Sequence, residues 1–512
     1  MKEIYELCEK LKENFKINCI DGRTAIKISI LLDEINEQNL RKEIAEDIYN
    51  ELGKNIYMDI WIYSFLIEIY PNVDWVIEFL DMLHHETKLD WRNKVFLYYQ
   101  ISCMCFRHGE LSTDETVVSQ WKYIERIYSE VKAEIGCELH RIPKEERNEK
   151  MAVVLAESFI STTNGPTKTT LDRCFVLKKV AGMDVLLINT AELNTSIGEL
   201  TYFIPYVGIY NPQWTNCDKQ VWNNVEIPFF QCDKNMPDIE VMKLLLQTIN
   251  NLKPSIVVSV ASKGIFTGLV NELVPVINIS TTQSGLQTTL AEYQTVEKHI
   301  KGKCSDILRK MNKPSEHLIA GRFTFSFKEQ QHKYSRSELG IKEDEFVLVI
   351  VGARLEIEFT WEFMEMLESI ADEKTKILAV GTWDSYADRV KKYTNLKERM
   401  VSLGHCEDVL AILDNCDLYI NPIRRGGGTS AVEAMYKGKP VVTVDFGDVA
   451  GIVGEDFVCN DYEEMKDIIK KYKTDKDYYE SQSQKAKELA RECMDSENEF
   501  MRILSEYKKL MQ

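Results

Sequence analysis

Residues 418–444, LYINPIRRGGGTSAVEAMYKGKPVVTV, constrain the fold more than any other stretch of this chain. Leu418 to Ile420 read as an apolar strand that runs into Asn421-Pro422, two arginines and Gly426-Gly427-Gly428. Thr429-Ser430 then cap a helix carrying Glu433, Gly438 closes it, and Pro440 to Val444 begin another strand. A strand, a glycine-rich turn and a helix N-terminus in that order make an anion site. The bare glycines admit a ligand to the backbone, and the N–H groups of the first helical turn point at it. The implied ligand is a phosphate or diphosphate.

With 512 residues the chain has room for two or three domains, and its 44% apolar content suffices for real cores. No run of about 18 apolar residues occurs, so no transmembrane helix is expected. The N-terminus, MKEIYELCEKLKENFK, reads as a charged amphipathic helix without the apolar stretch of a secretory signal, which points to a cytoplasmic protein. Thirteen scattered cysteines without a CxxC pair fit reduced, mostly buried thiols better than disulfides or zinc. A net charge of −18 counts against nucleic acid and against an anionic membrane surface as partners. A small anion remains open, because local arginines can focus the field inside an acidic protein.

Three segments follow from the periodicity. Residues 1–145 read as helical throughout, with apolar spacings of three and four in MDIWIYSFLIEIY and WVIEFLDMLHH. This segment holds 27 Asp+Glu against 18 Lys+Arg, half of the net charge. A structural cap, an acceptor-binding module and an oligomerisation module are all open for it. Residues 146–340 alternate strands with helices: MAVVLAESFI, TLDRCFVLKKVAG, MDVLLINTA, IEVMKLLLQTINNLK, SIVVSVA and VPVINIS. That order implies a parallel sheet covered by helices, with its first turn, residues 161–170, where open α/β sheets bind ligands. Residues 341–475 repeat the pattern from FVLVIVGARL onward, and residues 476–512 read as one long helix crossing back to the earlier domain. The fold class is therefore α/β, with two Rossmann-like domains facing a cleft behind an all-α N-terminal domain.

Gly426, Gly428 and Ala431 also fit G-x-G-x-x-A, with Asp445 where a dinucleotide fingerprint wants an acid. That fingerprint follows the first strand of its domain, whereas these glycines follow a late strand, so nicotinamide binding is disfavoured. No GxxxxGK[ST] loop is present.

The run GHCEDVLAILDNCDLYINPIRRGGGTSAVEAMYKGKPVV resembles the donor-binding half of GT-B glycosyltransferases, with EAM-x-x-G-K-P-V-V at the family's distance from a glycine-rich turn. The resemblance implies that Glu433 holds the ribose hydroxyls of a nucleotide, a carboxylate being able to accept two hydrogen bonds from a vicinal diol. It implies that Gly427, Gly428, Thr429 and Ser430 cradle the diphosphate. It also makes Arg354, in VGARL, the bidentate cation that neutralises it. Two positions depart from the family. Arg425 stands where retaining members carry a second glutamate, and Glu-Ile-Glu-Phe (356–359) replaces a lysine expected after the VGARL strand. Arg424 or Arg425 is the expected substitute for that charge, with a solvated loop as the alternative.

Arg354 and Arg425 are thus the expected catalytic cations. His405 joins the donor-binding residues as a base or phosphate contact, and Gly447-Asp448 are placed on the sugar or acceptor side. From the first α/β domain, Asn164, Gly165, Pro166 and Thr167 are expected to face the cleft. Glu157, Asp172 and His299 are open candidates for a base. No metal and no cofactor are expected beyond the nucleoside-diphosphate sugar itself, with UDP as the expected carrier. The acceptor is a protein, peptide or glycan, with protein or peptide favoured, and self-association is left open. The competing readings are a sugar-nucleotide 2-epimerase and a non-catalytic helical scaffold carrying a degenerate transferase.

Overall fold

The computed structural model describes all residues except 1, 36, 158, 163, 193–199, 203–209, 234, 283–284, 325, 327–328 and 512. Among the described residues, seven α-helices make up the N-terminal segment, from Lys2–Lys16 to Asp114–Ile135. The Ile56–Ile69 helix, IYMDIWIYSFLIEI, is apolar on every side and buried along nearly its whole length, so it forms the centre of the bundle. Local chemistry sets the ends: Asn55 Oδ1 accepts from Met58 N at 3.0 Å, and a Thr113–Thr116 capping box starts the last helix. That helix ends at Gly136 in the left-handed conformation.

Among its described residues the first α/β domain contains eight strands: β1 (Asn148–Ala156), β2 (Asp184–Asn189), β3 (Lys219–Trp222), β4 (Val225–Gln231), β5 (Pro254–Val260), β6 (Val276–Ile279), β7 (Tyr293–Glu297) and β8 (Leu318–Gly321). Their order is β3-β4-β2-β1-β5-β6-β7-β8, parallel except for the antiparallel β3–β4 edge. That edge hairpin turns through Asn223-Asn224, both at positive φ, the geometry a two-residue hairpin demands and asparagine tolerates. The sequence reading of a purely parallel sheet missed it.

The second domain contains β9 (Phe346–Val351), β10 (Thr375–Val380), β11 (Met400–Gly404), β12 (Leu418–Asn421), β13 (Val441–Val444) and β14 (Val458–Cys459). All are parallel, in the order β11-β10-β9-β12-β13-β14. This is doubly wound order, and it reverses between β9 and β12, where such sheets open a crevice at their carboxyl ends.

The helical segment is not a separate lobe. Its apolar residues share one core with the outer face of the first sheet, running from Ile4 through Trp121 and Phe266 to Leu318. Polar ties reinforce the contact: Tyr128 Oη donates to Glu272 Oε1 at 2.7 Å, and Arg92 Nε donates to the Pro237 carbonyl at 3.2 Å.

The C-terminal segment departs from the expected single helix. It is two helices, Lys476–Met494 and Ser496–Leu510, divided at Asp495. The first packs Ala486, Ala490 and Cys493 into the core of the second domain. The next packs Phe500, Ile503, Leu504 and Tyr507 into the core of the first. A break is needed because the two faces lie on different domains. The thirteen cysteines are all free, and among the described residues no helix is long and apolar enough to cross a membrane.

Candidate functional site

A cavity of about 630 Å3 lies where the two α/β domains and the helical segment meet. Gly426, Gly427, Gly428, Thr429, Arg354 and Asp448 line it from the second domain. The first domain contributes Asn164, Gly165, Pro166, Glu157 and Lys263. Tyr99, Gln100, Cys103, Phe106 and Arg107 come from the Trp91–Arg107 helix. The helical segment is therefore a wall of the cleft, which no pattern in its sequence announces.

The glycine turn sits at the reversal between β9 and β12. Gly426 and Gly427 have φ of +85° and +89°, a region costly for residues with a Cβ, and Gly427 begins the nine-residue helix Gly428–Tyr436. The first-turn N–H groups of that helix consequently face the cavity. Thr429 lines it, while the Ser430 hydroxyl is engaged in holding the turn. It donates to the Gly427 carbonyl at 3.0 Å and meets Tyr419 Oη at 2.9 Å.

The two neighbouring arginines point in different directions. Arg424 is buried and saturated: Nη1 to Glu358 Oε2 at 2.6 Å, Nε to Asn421 Oδ1 at 2.8 Å, and Nη2 to the Val351 carbonyl at 2.7 Å. It is a clamp between the ends of β9 and β12, neither solvated nor at the cavity. Arg425 turns toward the helical segment, over the Phe446 ring at 5.6 Å and donating to the Gly109 carbonyl at 3.3 Å. It borders a second, smaller cavity of about 120 Å3 rather than the large one. Neither arginine is where a substitute for the missing lysine was expected, because each is captured by a partner that local sequence does not reveal.

Arg354 does line the large cavity. Its Nη2 donates to the Arg425 carbonyl at 2.7 Å and to Glu358 Oε1 at 3.0 Å, and its guanidinium lies 5.0 Å over Phe106. Glu358, part of the segment that replaces the expected lysine, thus orients both Arg354 and Arg424. His405 is exposed after the edge strand β11, two strands from the reversal, and is not among the cavity's lining residues. Glu433 is buried on the Gly428–Tyr436 helix, where its Oε1 accepts from Lys168 Nζ of the first domain at 3.0 Å.

On the opposite side, Asn164 Oδ1 caps the Gly165–Phe175 helix, accepting from Thr167 N at 3.2 Å. Thr167 itself is buried; its three predecessors line the cavity. A Cβ on Gly165 would sit 3.8 Å from Thr429 Oγ1, so the two strand-to-helix turns oppose each other directly. Of the three candidate bases, Asp172 is buried in an ion pair with Arg173 at 2.7 Å and His299 is exposed outside the lining. Glu157 alone of these lines the cavity.

Glu157 follows β1 directly, beside the start of the Ile265–Leu273 helix, accepting from Lys263 N at 2.7 Å and Gly264 N at 2.8 Å, and from the Ser262 hydroxyl. A second buried carboxyl, Glu192, takes the next N–H groups of the same helix, from Ile265 and Phe266. Burial pushes both carboxyls above their ordinary range, and the charge of Glu157 adds to the rise at Glu192. Glu192 and Lys263 escaped the sequence reading because nothing near them in the chain marks the β1–β5 reversal. Lys263 Nζ is held by Ser102 Oγ of the helical segment at 2.6 Å. Among the described residues no group of three or more His, Cys, Asp or Glu is placed to hold a metal ion.

Residues 341–475 match the family model described as "Glycosyl transferases group 1". No curated protein matches the chain by sequence. Among solved structures, a glycosyltransferase from Rickettsia africae aligns with a TM-score of 0.52 at 11% identity, covering 71% of this chain and 99% of that one. A mutant O-GlcNAc transferase from Thermobaculum terrenum aligns over 99% of this chain and 97% of its own, with a TM-score of 0.51 and 12% identity. The Anabaena protein HepE in complex with UDP-glucose covers 70% of this chain and 99% of its own, at 0.50 and 13%. At such identities the likeness is one of fold, and in the second case it extends over the helical segment. The chain therefore has the GT-B fold behind an all-helical N-terminal domain, and its residues 341–475 match the model of the glycosyl transferases group 1.

Proposed function

We propose that the protein is a glycosyltransferase that moves a sugar from a nucleoside-diphosphate donor, UDP-linked, to a protein or peptide acceptor. One observation carries the reading. The glycine turn, its helix N-terminus and Arg354 meet in one cavity at the strand reversal of a group 1 domain, facing the first turn of a second α/β domain. N–H groups and a guanidinium at that point stabilise a diphosphate, both in the bound donor and as the leaving group when the glycosidic bond breaks. Glu433 takes the ribose hydroxyls one helical turn further along. The same-fold Anabaena structure in complex with UDP-glucose supports the donor. The whole-chain likeness to an O-GlcNAc transferase, and the helical wall beside the donor site, support a polypeptide acceptor.

The test is a thermal titration of the full chain with nucleoside diphosphates. UDP should raise the unfolding temperature saturably, by the mass-action stabilisation of a bound ligand, and Arg354→Ala and Glu433→Ala should abolish the shift. Slow hydrolysis of one UDP-sugar from a panel then identifies the sugar. If no nucleoside diphosphate shifts the transition, the donor site is misassigned.

A further inference from the structure

The cavity has a charge deficit on its donor side. The segment where the resemblance leads one to expect a lysine instead contains Glu358, which accepts from Arg354 and pairs with buried Arg424. Arg425 faces away, and Lys263 is held by Ser102. Arg107 of the helical segment also lines the cavity but is paired with Glu68 at 3.2 Å, so Arg354, already sharing Glu358, is the one second-domain cation lining it among the described residues.

A further cation stands beside the cavity from the opposite domain, paired with Glu433, both just outside the lining residues. Lys168 lies on the first turn of the Gly165–Phe175 helix, and its Nζ is 3.0 Å from Glu433 Oε1, with only 12% and 9% of the two side chains exposed. Glu433 follows Thr429 by four residues on the same helix, so the two share a face about one turn apart, about 6 Å along the axis. Lys168 Nζ therefore stands about one turn from the phosphate cradle, on a flexible four-carbon stem.

Resting on the donor-site reading above, we propose that Lys168 is a catalytic residue that supplies the missing positive charge to the donor diphosphate from across the cleft. In the structure it neutralises Glu433. When a ribose diol donates to Glu433, the carboxylate stays ionised and keeps lone pairs for Lys168. The ammonium has three donors, so it can keep Glu433 and turn another N–H to a diphosphate oxygen in the neighbouring cradle. During transfer the bond between the anomeric carbon and the β-phosphate oxygen breaks, and its electron pair stays on the nucleoside diphosphate. The acceptor oxygen bonds to the anomeric carbon and its proton is released to water. Lys168 remains charged throughout and stabilises the departing phosphate. Because it comes from the first domain, its charge reaches the donor only through the contact between the two domains that its pair with Glu433 makes.

The experiment compares the affinities of UDP and UMP for the full chain by calorimetry, in wild type, Lys168→Ala and Lys168→Arg. The preference for UDP over UMP should fall about tenfold in Lys168→Ala and return in Lys168→Arg, with kcat falling further than donor KM rises. An unchanged preference overturns the inference, and so does a gain in UDP affinity, which would make Lys168 a mere competitor for Glu433. Equal weakening of both nucleotides would show a purely structural role and also overturn it. Wild-type protein that binds neither nucleotide overturns the donor-site reading itself, so the two failures are distinguishable.

Discussion

Arg424 Nη1 lies 2.6 Å from Glu358 Oε2, and both side chains are buried where β9 and β12 end side by side. The pair fastens the glycine turn to the strand that delivers Arg354. Removing one partner of a buried pair leaves the other uncompensated, so Arg424→Ala should destabilise the protein by about 3–5 kcal/mol. Arg424→Lys should recover little, because one ammonium does not reproduce contacts to Glu358, Asn421, Tyr419 and the Val351 carbonyl. Thermal unfolding of the variants measures this, and a loss below about 1 kcal/mol would show that the clamp is not structural.

Arg425, its neighbour, should behave differently. It borders the smaller cavity and packs on Phe446 and Gly109, and burial lowers its pKa. Arg425→Ala should leave UDP affinity within about twofold while costing about 1–2 kcal/mol of stability through lost packing against the helical segment. A large loss of nucleotide affinity at unchanged stability would return Arg425 to the donor site.

Gly447 opens the Gly447–Val453 helix with φ of +76°, and a Cβ there would meet the Arg424 carbonyl oxygen at 2.3 Å. Gly447→Ala combines left-handed backbone strain with a backbone clash, and should cost about 2–4 kcal/mol. Because the clash pushes on the segment leading into the glycine turn, UDP affinity should fall together with the unfolding temperature. Calorimetry showing normal UDP affinity in this variant would mean that the turn is positioned independently of Gly447.

Glu297 gives a pH signature. Burial pushes its carboxyl up to about 7 from 4.5, against the Phe323 N–H and the Arg322 charge, with Glu499 adding to the rise. The folded state then holds a proton that the unfolded state has released between pH 4.5 and about 7. The associated stability is present below pH 4.5 and is lost as pH rises through about 7. Glu297→Gln should remove that dependence, gaining on wild type by up to about 3 kcal/mol between pH about 5 and about 8. Parallel stability profiles for the two proteins would refute the assignment.

The glycine turn, its helix and the position of Arg354 after β9 were legible because each depends on features a few residues long. These are left-handed backbone at glycine, an N-terminal helical turn, and the apolar runs of buried parallel strands. The β3–β4 hairpin was less legible, since Asn-Asn is a weaker turn signal than Asn-Gly. The break at Asp495 was not legible either, because helical periodicity continues on both sides of it.

The site itself divides along the same line. By itself the sequence determined that a glycine turn follows a strand in the second α/β domain, with Glu433 one turn into the helix behind it. Only the tertiary structure decided that β9 lies beside β12, that Arg424 and Arg425 turn in different directions, and that Lys168 meets Glu433 across 265 residues of chain. Backbone conformation is encoded locally. The direction a charged side chain takes is set by which partners packing brings within a few ångströms, and those partners come from anywhere in the chain.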